Sequence, residues 1–258
     1  MSQLFLYGDL RLKKTVSNLV IFAVLFTSGI KTHAVFASEK TQSRFGNVTL
    51  NIPNPRNLCR VKNNEGERER DTLERMRKIQ RRGKNKLLAF WVDCDSHKQL
   101  QRNNNLFAFN EWMIIVGYLS GKPPQEKTFP QVTQKLYLKS ILKEFNDTDL
   151  DNLYGSAIKG VNKDLEKIDP NYLGGKTTKV TEPINLGLLA VTDSIHTGMI
   201  INVKGPWGDR PVAAINGSTL IKGVIVHYFF YNEYKNKSTI KTLLSKSKFY
   251  SEKLTNAN

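Results

Sequence analysis

The chain has 258 residues, with 39 Lys and Arg against 23 Asp and Glu, so its formal net charge is +16. Apolar residues make up 40% and aromatic residues 10%, which excludes an intrinsically disordered protein. Two cysteines are too few for a disulfide-rich mini-protein or a four-cysteine zinc site. These numbers indicate one basic globular domain, preceded by an N-terminal segment that is removed by processing.

The first 37 residues have the pattern of a secretory signal peptide. Three basic residues precede the stretch from Val16 to Ile30, which contains no charge. This stretch is shorter than the about 20 residues that cross a bilayer, and its length suits the apolar region of an export signal. Small residues favour cleavage between Ala37 and Ser38, with cleavage after Ala34 as the alternative. An uncleaved anchor in the inner membrane is the other interpretation, because the basic region is long.

Removal of this segment leaves residues 38–258 as a single mature domain. The segment carries four bases and one acid, so the mature chain has a net charge of +13. Residues 38–45 are predicted as a loose leader. Apolar and polar residues alternate over 47–52, which predicts a strand with one buried face. No segment of the mature chain is apolar enough to suggest a transmembrane helix.

Cys59 and Cys94 are predicted to form a disulfide bond. Both belong to the mature domain, and an exported protein matures in an oxidising compartment. An even number of cysteines leaves no thiol over. Two separate buried thiols are an alternative. A catalytic Cys94 is disfavoured because the carboxylates of Asp93 and Asp95 oppose the thiolate that a nucleophile needs.

A helix is predicted over 65–82, because its acids lie near the start and its bases near the end, which complements the helix dipole. Gly83 is the expected stop. The elements that follow are predicted as a strand over 87–92, a short helix over 95–102, a strand over 107–119, a helix beginning at Thr128 with Gln131 as its capping-box partner, and a polar helix over 147–168.

The last third of the chain is predicted to be mostly β-structure. Its predicted elements are strands over 184–191, 199–203, 212–215 and 220–231, a hairpin turn at Asn216-Gly217, and a final helix beginning near Asn236 or Ser238. Short turns join these strands, which favours antiparallel pairing. The predicted fold class is therefore α+β: one domain with a twisted antiparallel sheet of five to seven strands packed with three or four helices.

No motif in the mature chain indicates catalysis or a cofactor. Asp193, Ser194 and His196 are the residue types of a hydrolase triad. Adjacent residues of a strand point to opposite faces, so Asp193 and Ser194 cannot both contact one imidazole in that order, although Ser194 and His196 share a face. The mature histidines, His97, His196 and His227, lack zinc-site spacing. The Gly-Gly-Lys-Thr string at 174–177 lacks the first glycine of a phosphate-binding loop. We expect no catalytic residue, metal or cofactor, although whether the protein is an enzyme stays open.

Positive charge is the one global feature with functional content, because a basic surface attracts anions. Two candidate anion-binding clusters lie on predicted helices. Their residues are Arg75, Arg77, Lys78, Arg81 and Arg82 in the first cluster, and Lys241 and Lys248 in the second. The expected partners are an anionic surface, an acidic polymer or an acidic protein. Nucleic acid is not expected as a functional partner of an exported protein, and a merely solvated basic surface is the simpler alternative.

Three strings of the mature chain, at 48–59, 85–94 and 220–231, together resemble small exported proteins of Gram-negative bacteria that have no assigned activity. The resemblance covers most of the mature chain and implies a compartment, periplasmic or extracellular, but no site residue. The closing pattern of a long strand with aromatic residues before a final helix also looks like the PsbP-like α/β/α sandwich, which is an analogy of fold.

These observations predict an exported, non-enzymatic protein that acts through binding or assembly. One alternative is a periplasmic hydrolase-type enzyme that uses His196 or His227 in a pocket formed by folding. Another is a basic adaptor that binds a membrane surface or an acidic polymer. The sequence leaves the specific ligand and the oligomeric state open.

Overall fold

Every strand pair that the structure describes is antiparallel. The structure is a computed structural model that describes residues 41–63, 66–102, 109–147, 179–181, 183–205 and 208–258, with residues 149, 159 and 162. The strands are β1 (Thr41–Phe45), β2 (Val48–Ile52), β3 (Leu58–Arg60), β4 (Asn85–Asp93), β5 (Glu111–Ser120), β6 (Gln125–Glu126), β7 (Lys179–Val180), β8 (Ile184–Val191), β9 (Ile195–Gly205), β10 (Gly208–Ile221) and β11 (Val224–Glu233). The helices with described bounds are α1 (Glu67–Arg82), α2 (Cys94–Arg102), α3 (Gln134–Asn146) and α4 (Lys237–Asn256).

One large sheet organises the fold. Its strand order is β3-β4-β5-β11-β10-β9-β7, with β6 paired to β5 and β8 paired to β9. Strands β1 and β2 form a separate two-stranded sheet. The predicted α+β class, with its antiparallel sheet and packed helices, is confirmed. The predicted polar helix over 147–168 falls almost wholly outside the described residues.

Helices cover both faces of the sheet, and each face has its own apolar core. Helices α1 and α3 pack on the first face, which we call the α1 face, with Met76 and Tyr137 among their buried side chains. Helix α4 and the β1–β2 pair cover the second, the α4 face, with Tyr250 and Phe45 among theirs. Strand β11 serves both cores, because Phe229 faces the first and Phe230 the second.

Residues 41–45, part of the predicted loose leader 38–45, are instead strand β1. Thr41 is 6% exposed and Phe45 is fully buried, whereas the residues between them are partly or wholly exposed. The prediction was wrong because this segment has a single large apolar residue, Phe45, and the residue that Phe45 packs against, Gly117 of β5, lies far along the chain. Residues 38–40 lie outside the described residues.

Helix α3 begins later than predicted. Its N-cap is Thr133, whose side-chain oxygen accepts a hydrogen bond from the Leu136 amide. Thr128 is therefore not the cap. Pro130 explains the difference, because a proline disfavours helical backbone in the residue before it. That residue, Phe129, is instead buried in a turn, where its amide donates to the Gly223 carbonyl.

The predicted hairpin turn at Asn216-Gly217 is also wrong, because β10 runs straight through it. The turn lies six residues later, at Lys222 and Gly223, which both have positive φ angles as a tight hairpin requires. Gly217 has a different role: the ring of Tyr228 on β11 lies across it. A Cβ atom on Gly217 would approach the Cζ of Tyr228 to 2.0 Å.

Replacement of Gly217 by alanine is expected to destabilise the protein by about 1–3 kcal/mol, the usual cost of overpacking a core. The added methyl group would overlap a Tyr228 ring that is fully buried and cannot move aside. Urea unfolding measures the loss. In a Tyr228→Leu background the same Gly217→Ala change should cost much less; equal costs in both backgrounds would contradict the proposed contact.

The two ends of the described chain are joined by reciprocal hydrogen bonds. The Asn51 amide donates to Oδ1 of Asn258 over 2.8 Å, and Nδ2 of Asn258 donates to the Asn51 carbonyl over 2.8 Å. Nδ2 of Asn51 donates to the Ala257 carbonyl. Asn51 belongs to β2, and Ala257 and Asn258 directly follow α4. These bonds hold the β1–β2 pair against the final helix.

Candidate functional site

A basic groove opens at the edge of the sheet where strand β3 ends. Strand β3 pairs with β4 over Trp91–Asp93, and one further hydrogen bond, from the Val61 amide to the Phe90 carbonyl, closes the ladder. Beyond Val61 the chain leaves the edge, and α1 lies over β4 on the α1 face. A groove of about 230 Å³ remains, lined by Arg60, Val61, Lys62, Asn63, Leu73, Arg77, Leu87, Leu88, Ala89 and Phe90.

The rim of the groove is cationic and its floor is apolar. Arg60 and Lys62 come from the end of β3, and Arg77 comes from α1, one turn beyond the buried Leu73. None of the described lining residues is acidic. Arg77 Nη1 donates to Oδ1 of Asn63 over 3.1 Å, and Arg60 Nη1 donates to Oγ1 of Thr41 over 2.7 Å. These contacts hold the two guanidinium groups in place.

Two cross-links fix the walls of the groove. The disulfide between Cys59 and Cys94 joins β3 to the start of α2, as predicted from the sequence. His97 on α2 contacts Glu69 on α1, with Nε2 and Oε1 2.6 Å apart, and the Glu69 side chain is fully buried. Since α1 and β3 are both tied to α2, the cations that they carry are held at a set separation, which favours binding.

Of the three cationic residues that line the groove, the sequence analysis predicted only Arg77 as an anion-binding residue. Of the first predicted cluster, Arg77 lines the groove, whereas Lys78 pairs with Glu74 over 2.7 Å on the exposed side of α1. Arg81 and Arg82 are exposed at the end of α1, and Arg75 is partly buried. Sequence reasoning missed Arg60 and Lys62, because isolated bases beside a three-residue strand give no charge pattern.

The second predicted cluster lies on the other side of the molecule. Lys241 and Lys248 are both exposed on α4, which covers the opposite face of the sheet from α1. The two clusters therefore do not form one continuous basic surface. Whether either of them binds an anion stays a prediction.

The first buried histidine, His196, is held between two hydroxyl groups under α4. Its Nδ1 lies 2.9 Å from Oγ of Ser247, and its Nε2 lies 2.9 Å from Oγ1 of Thr192. Burial, with Lys248 as a smaller cause, lowers the pKa of His196 from 6.5 to about 4. Ser194 shares this face, as predicted, but its hydroxyl contacts Ser251 over 2.5 Å. The serine beside the imidazole is thus Ser247, from α4.

The second buried histidine, His227, lies on the α1 face in β11, which β10 separates from the β9 strand of His196. Its Nδ1 is 2.8 Å from Oγ of Ser218, which in turn is 2.5 Å from Oη of Tyr137 on α3. Burial lowers the pKa of His227 from 6.5 to about 4 and raises the pKa of Tyr137. Both histidines are therefore neutral at pH 7. Their hydroxyl partners are Ser247 of α4, Ser218 of β10 and Thr192 of the bend between β8 and β9.

Neither histidine lines the groove, and both are at most 1% exposed. A hydrolase needs its base beside a concave surface that a substrate reaches. The contacts of His196 and His227 instead join the sheet to α4 and α3. Among the described residues, no group of three or more His, Cys, Asp or Glu side chains is placed to hold a metal ion.

The predicted cleavage site between Ala37 and Ser38 lies outside the described residues. Within the part of the chain that is described, none of the helices combines the length and the apolar character needed to cross a membrane.

Comparison with protein-family models and with curated proteins finds no match to this chain. The resemblances noted in the sequence therefore stay predictions.

Proposed function

We propose that the protein is an exported, non-enzymatic binding protein, and that the groove at the β3–β4 edge takes an anionic part of its partner. The observation that carries this proposal is the convergence of Arg60, Lys62 and Arg77 on an apolar floor with no described acid among the lining residues. Charge-assisted hydrogen bonds from guanidinium groups to carboxylates or phosphates are stronger than neutral ones.

Export is supported by the disulfide and by the pattern of the first 37 residues. Disulfides persist in secreted and periplasmic proteins and are rare in the reducing cytosol. The bond between Cys59 and Cys94 closes a loop with a sequence separation of 35, which suits a structural rather than a catalytic role. We therefore place the mature domain, residues 38–258, in the periplasm or outside the cell.

Binding rather than catalysis is supported by the chemistry of the groove. Arginine stays protonated at every physiological pH, so Arg60 and Arg77 serve as donors and not as proton carriers. Apart from the Lys62 amine, the described lining residues supply neither a nucleophile nor a general base. The imidazoles of His196 and His227, which could act as bases, are enclosed elsewhere.

Charge reversal in the groove is expected to weaken binding of an acidic probe strongly. The probe is fluorescein-labelled hexaglutamate, and fluorescence anisotropy measures its Kd. The double variant Lys62→Glu/Arg77→Glu should weaken binding by at least about tenfold, because hydrogen bonds to charged groups contribute roughly 1.5–3 kcal/mol each. Binding to the unmodified protein should also weaken as salt rises.

The matched control is Lys235→Glu/Lys237→Glu at the exposed start of α4, outside both predicted clusters, which changes the net charge by the same amount on the opposite face. This variant should weaken binding of the probe by no more than about twofold, since charges more than a Debye length away from the bound probe are screened. Equal weakening by both double variants would show general charge attraction and would refute the groove as the site. Circular dichroism checks that both variants fold.

A further inference from the structure

We infer that the partner enters the groove as an added β-strand: an extended segment of an acidic protein that pairs with the outer edge of β4. This inference rests on the proposed function and names the partner of that same site. It depends on three features of the edge: an unpaired stretch of strand, main chain turned toward the groove, and cations on both faces of the sheet.

The first feature is the unpaired stretch of β4. Strand β3 and Val61 together cover the outer edge from Phe90 to Asp93. The inner edge of β4 is paired with β5 from Asn85 to Val92, with a register shift at Leu88 between Leu87 and Ala89. Among the described residues, no strand pairs with the outer edge over Asn85–Ala89. An open strand edge is a template on which another chain can form a ladder.

The second feature is that β4 presents its main chain to the groove. Leu88 and Ala89 line the groove, yet both residues belong to the core of the α4 face and are 6% and 5% exposed as whole residues. Leu73 and Arg77 approach the groove from the other face, on α1. Leu88 and Ala89 therefore line the groove through backbone atoms. Backbone hydrogen bonds are the contacts that give strand addition its affinity.

The third feature is the placement of charge on both sides of the sheet plane. Arg60 lies on the α4 face, where its guanidinium donates to Thr41 of β1. Arg77 lies on the α1 face, where it donates to Asn63. Successive side chains of a strand point to opposite faces. Two adjacent acidic residues of an added strand would thus meet Arg60 on one side and Arg77 on the other.

The size of the groove agrees with a strand rather than a whole small molecule. Its volume of about 230 Å³ is below the roughly 300–1,000 Å³ of ordinary small-molecule sites. It suits two side chains of a longer ligand, whose ends continue along the surface. The apolar floor, with Val61, Leu73 and Phe90, lies on the α1 face and favours an apolar residue beside the acidic pair.

The test uses a labelled peptide, fluorescein-Thr-Val-Glu-Glu-Val-Thr-amide, and two versions of it that are N-methylated at alternate residues, odd in one and even in the other. An added strand pairs through the amides of every second residue. We expect one methylated version to bind at least about tenfold more weakly than the parent and the other to bind within about twofold. The Lys62→Glu/Arg77→Glu variant should bind none of the three.

The outcomes separate the two proposals. If hexaglutamate and all three peptides bind the groove equally well, the groove binds acids but not as a strand, so this inference fails and the proposed function stands. Equal weakening by both methylation patterns also overturns it, because a strand uses one edge. If neither hexaglutamate nor the parent peptide binds, both proposals fail.

Sedimentation velocity tests a different occupant, a second copy of this chain. Self-association that the parent peptide disrupts would identify that second copy as the occupant and would overturn the inference that a segment of another protein binds there.

Discussion

Acidification from pH 7 to pH 4 is expected to destabilise the protein by about 3 kcal/mol for each of His196 and His227. In the unfolded chain a histidine takes up its proton near pH 6.5, whereas burial lowers the pKa of each folded histidine to about 4. Between these values the unfolded state binds more protons, so the free energy of unfolding falls as the pH falls. Below about pH 4 both states are protonated, and this contribution levels off.

The effect is large because each imidazole is enclosed. Protonation of His196 puts a charge between the hydroxyls of Thr192 and Ser247, and protonation of His227 puts one beside Ser218. Burying a charge without an opposite partner is costly. Native domains are stable by about 5–15 kcal/mol, so the two histidines together account for a substantial part of that margin.

Urea unfolding at a series of pH values between 7.5 and 4 measures the effect. The control variant His227→Asn keeps a polar atom near the position of Nδ1, which Ser218 contacts, but does not titrate. Its stability at pH 7 should fall modestly, and its loss on acidification should be about 3 kcal/mol smaller than that of the unmodified protein. Parallel pH profiles for the two proteins would contradict the assignment, because carboxylates contribute equally to both.

Removal of the disulfide is expected to cost about 4 kcal/mol, the loop-entropy value for a loop of this size. The Cys59→Ser/Cys94→Ser variant should show this loss in urea unfolding. It should also weaken hexaglutamate binding beyond what the loss of stability explains, because the bond joins β3, which carries Arg60, to α2. Reduction of the unmodified protein should reproduce both changes. An unchanged unfolding midpoint after reduction would contradict a structural role.

Strong local patterns allowed much of the fold to be predicted. Strand β8 lies at its predicted bounds, β4 contains the predicted apolar run, and α1 begins and ends within two residues of its predicted range. Each of these segments carries its signal in its own residues. The errors occur where a distant residue decides the structure. Gly217 was interpreted as a turn because a glycine gives no sign that the ring of Tyr228 lies across it.

The candidate site was harder to predict for the same reason. Arg77 belongs to a dense basic run, so composition alone singled it out. Arg60 became relevant only once β3 was known to end early and leave the edge of β4 uncovered. Likewise Ser247 follows His196 by 51 residues, and no short motif joins them. Sites built by the meeting of separate strands and helices leave little trace in the order of residues.

The bonds between Asn51 and Asn258 carry a consequence for how the chain acquires its structure. They join positions 207 residues apart, and the pairing of β5 with β11, as at Met113 and Phe230, joins positions 117 residues apart. A polypeptide that leaves the ribosome from its N-terminus cannot make these contacts until β11, α4 and the residues after α4 emerge. Proteins dominated by such distant pairings fold slowly. Strands β2 and β5 thus lack these contacts until the residues around Phe230 and Asn258 have been synthesised.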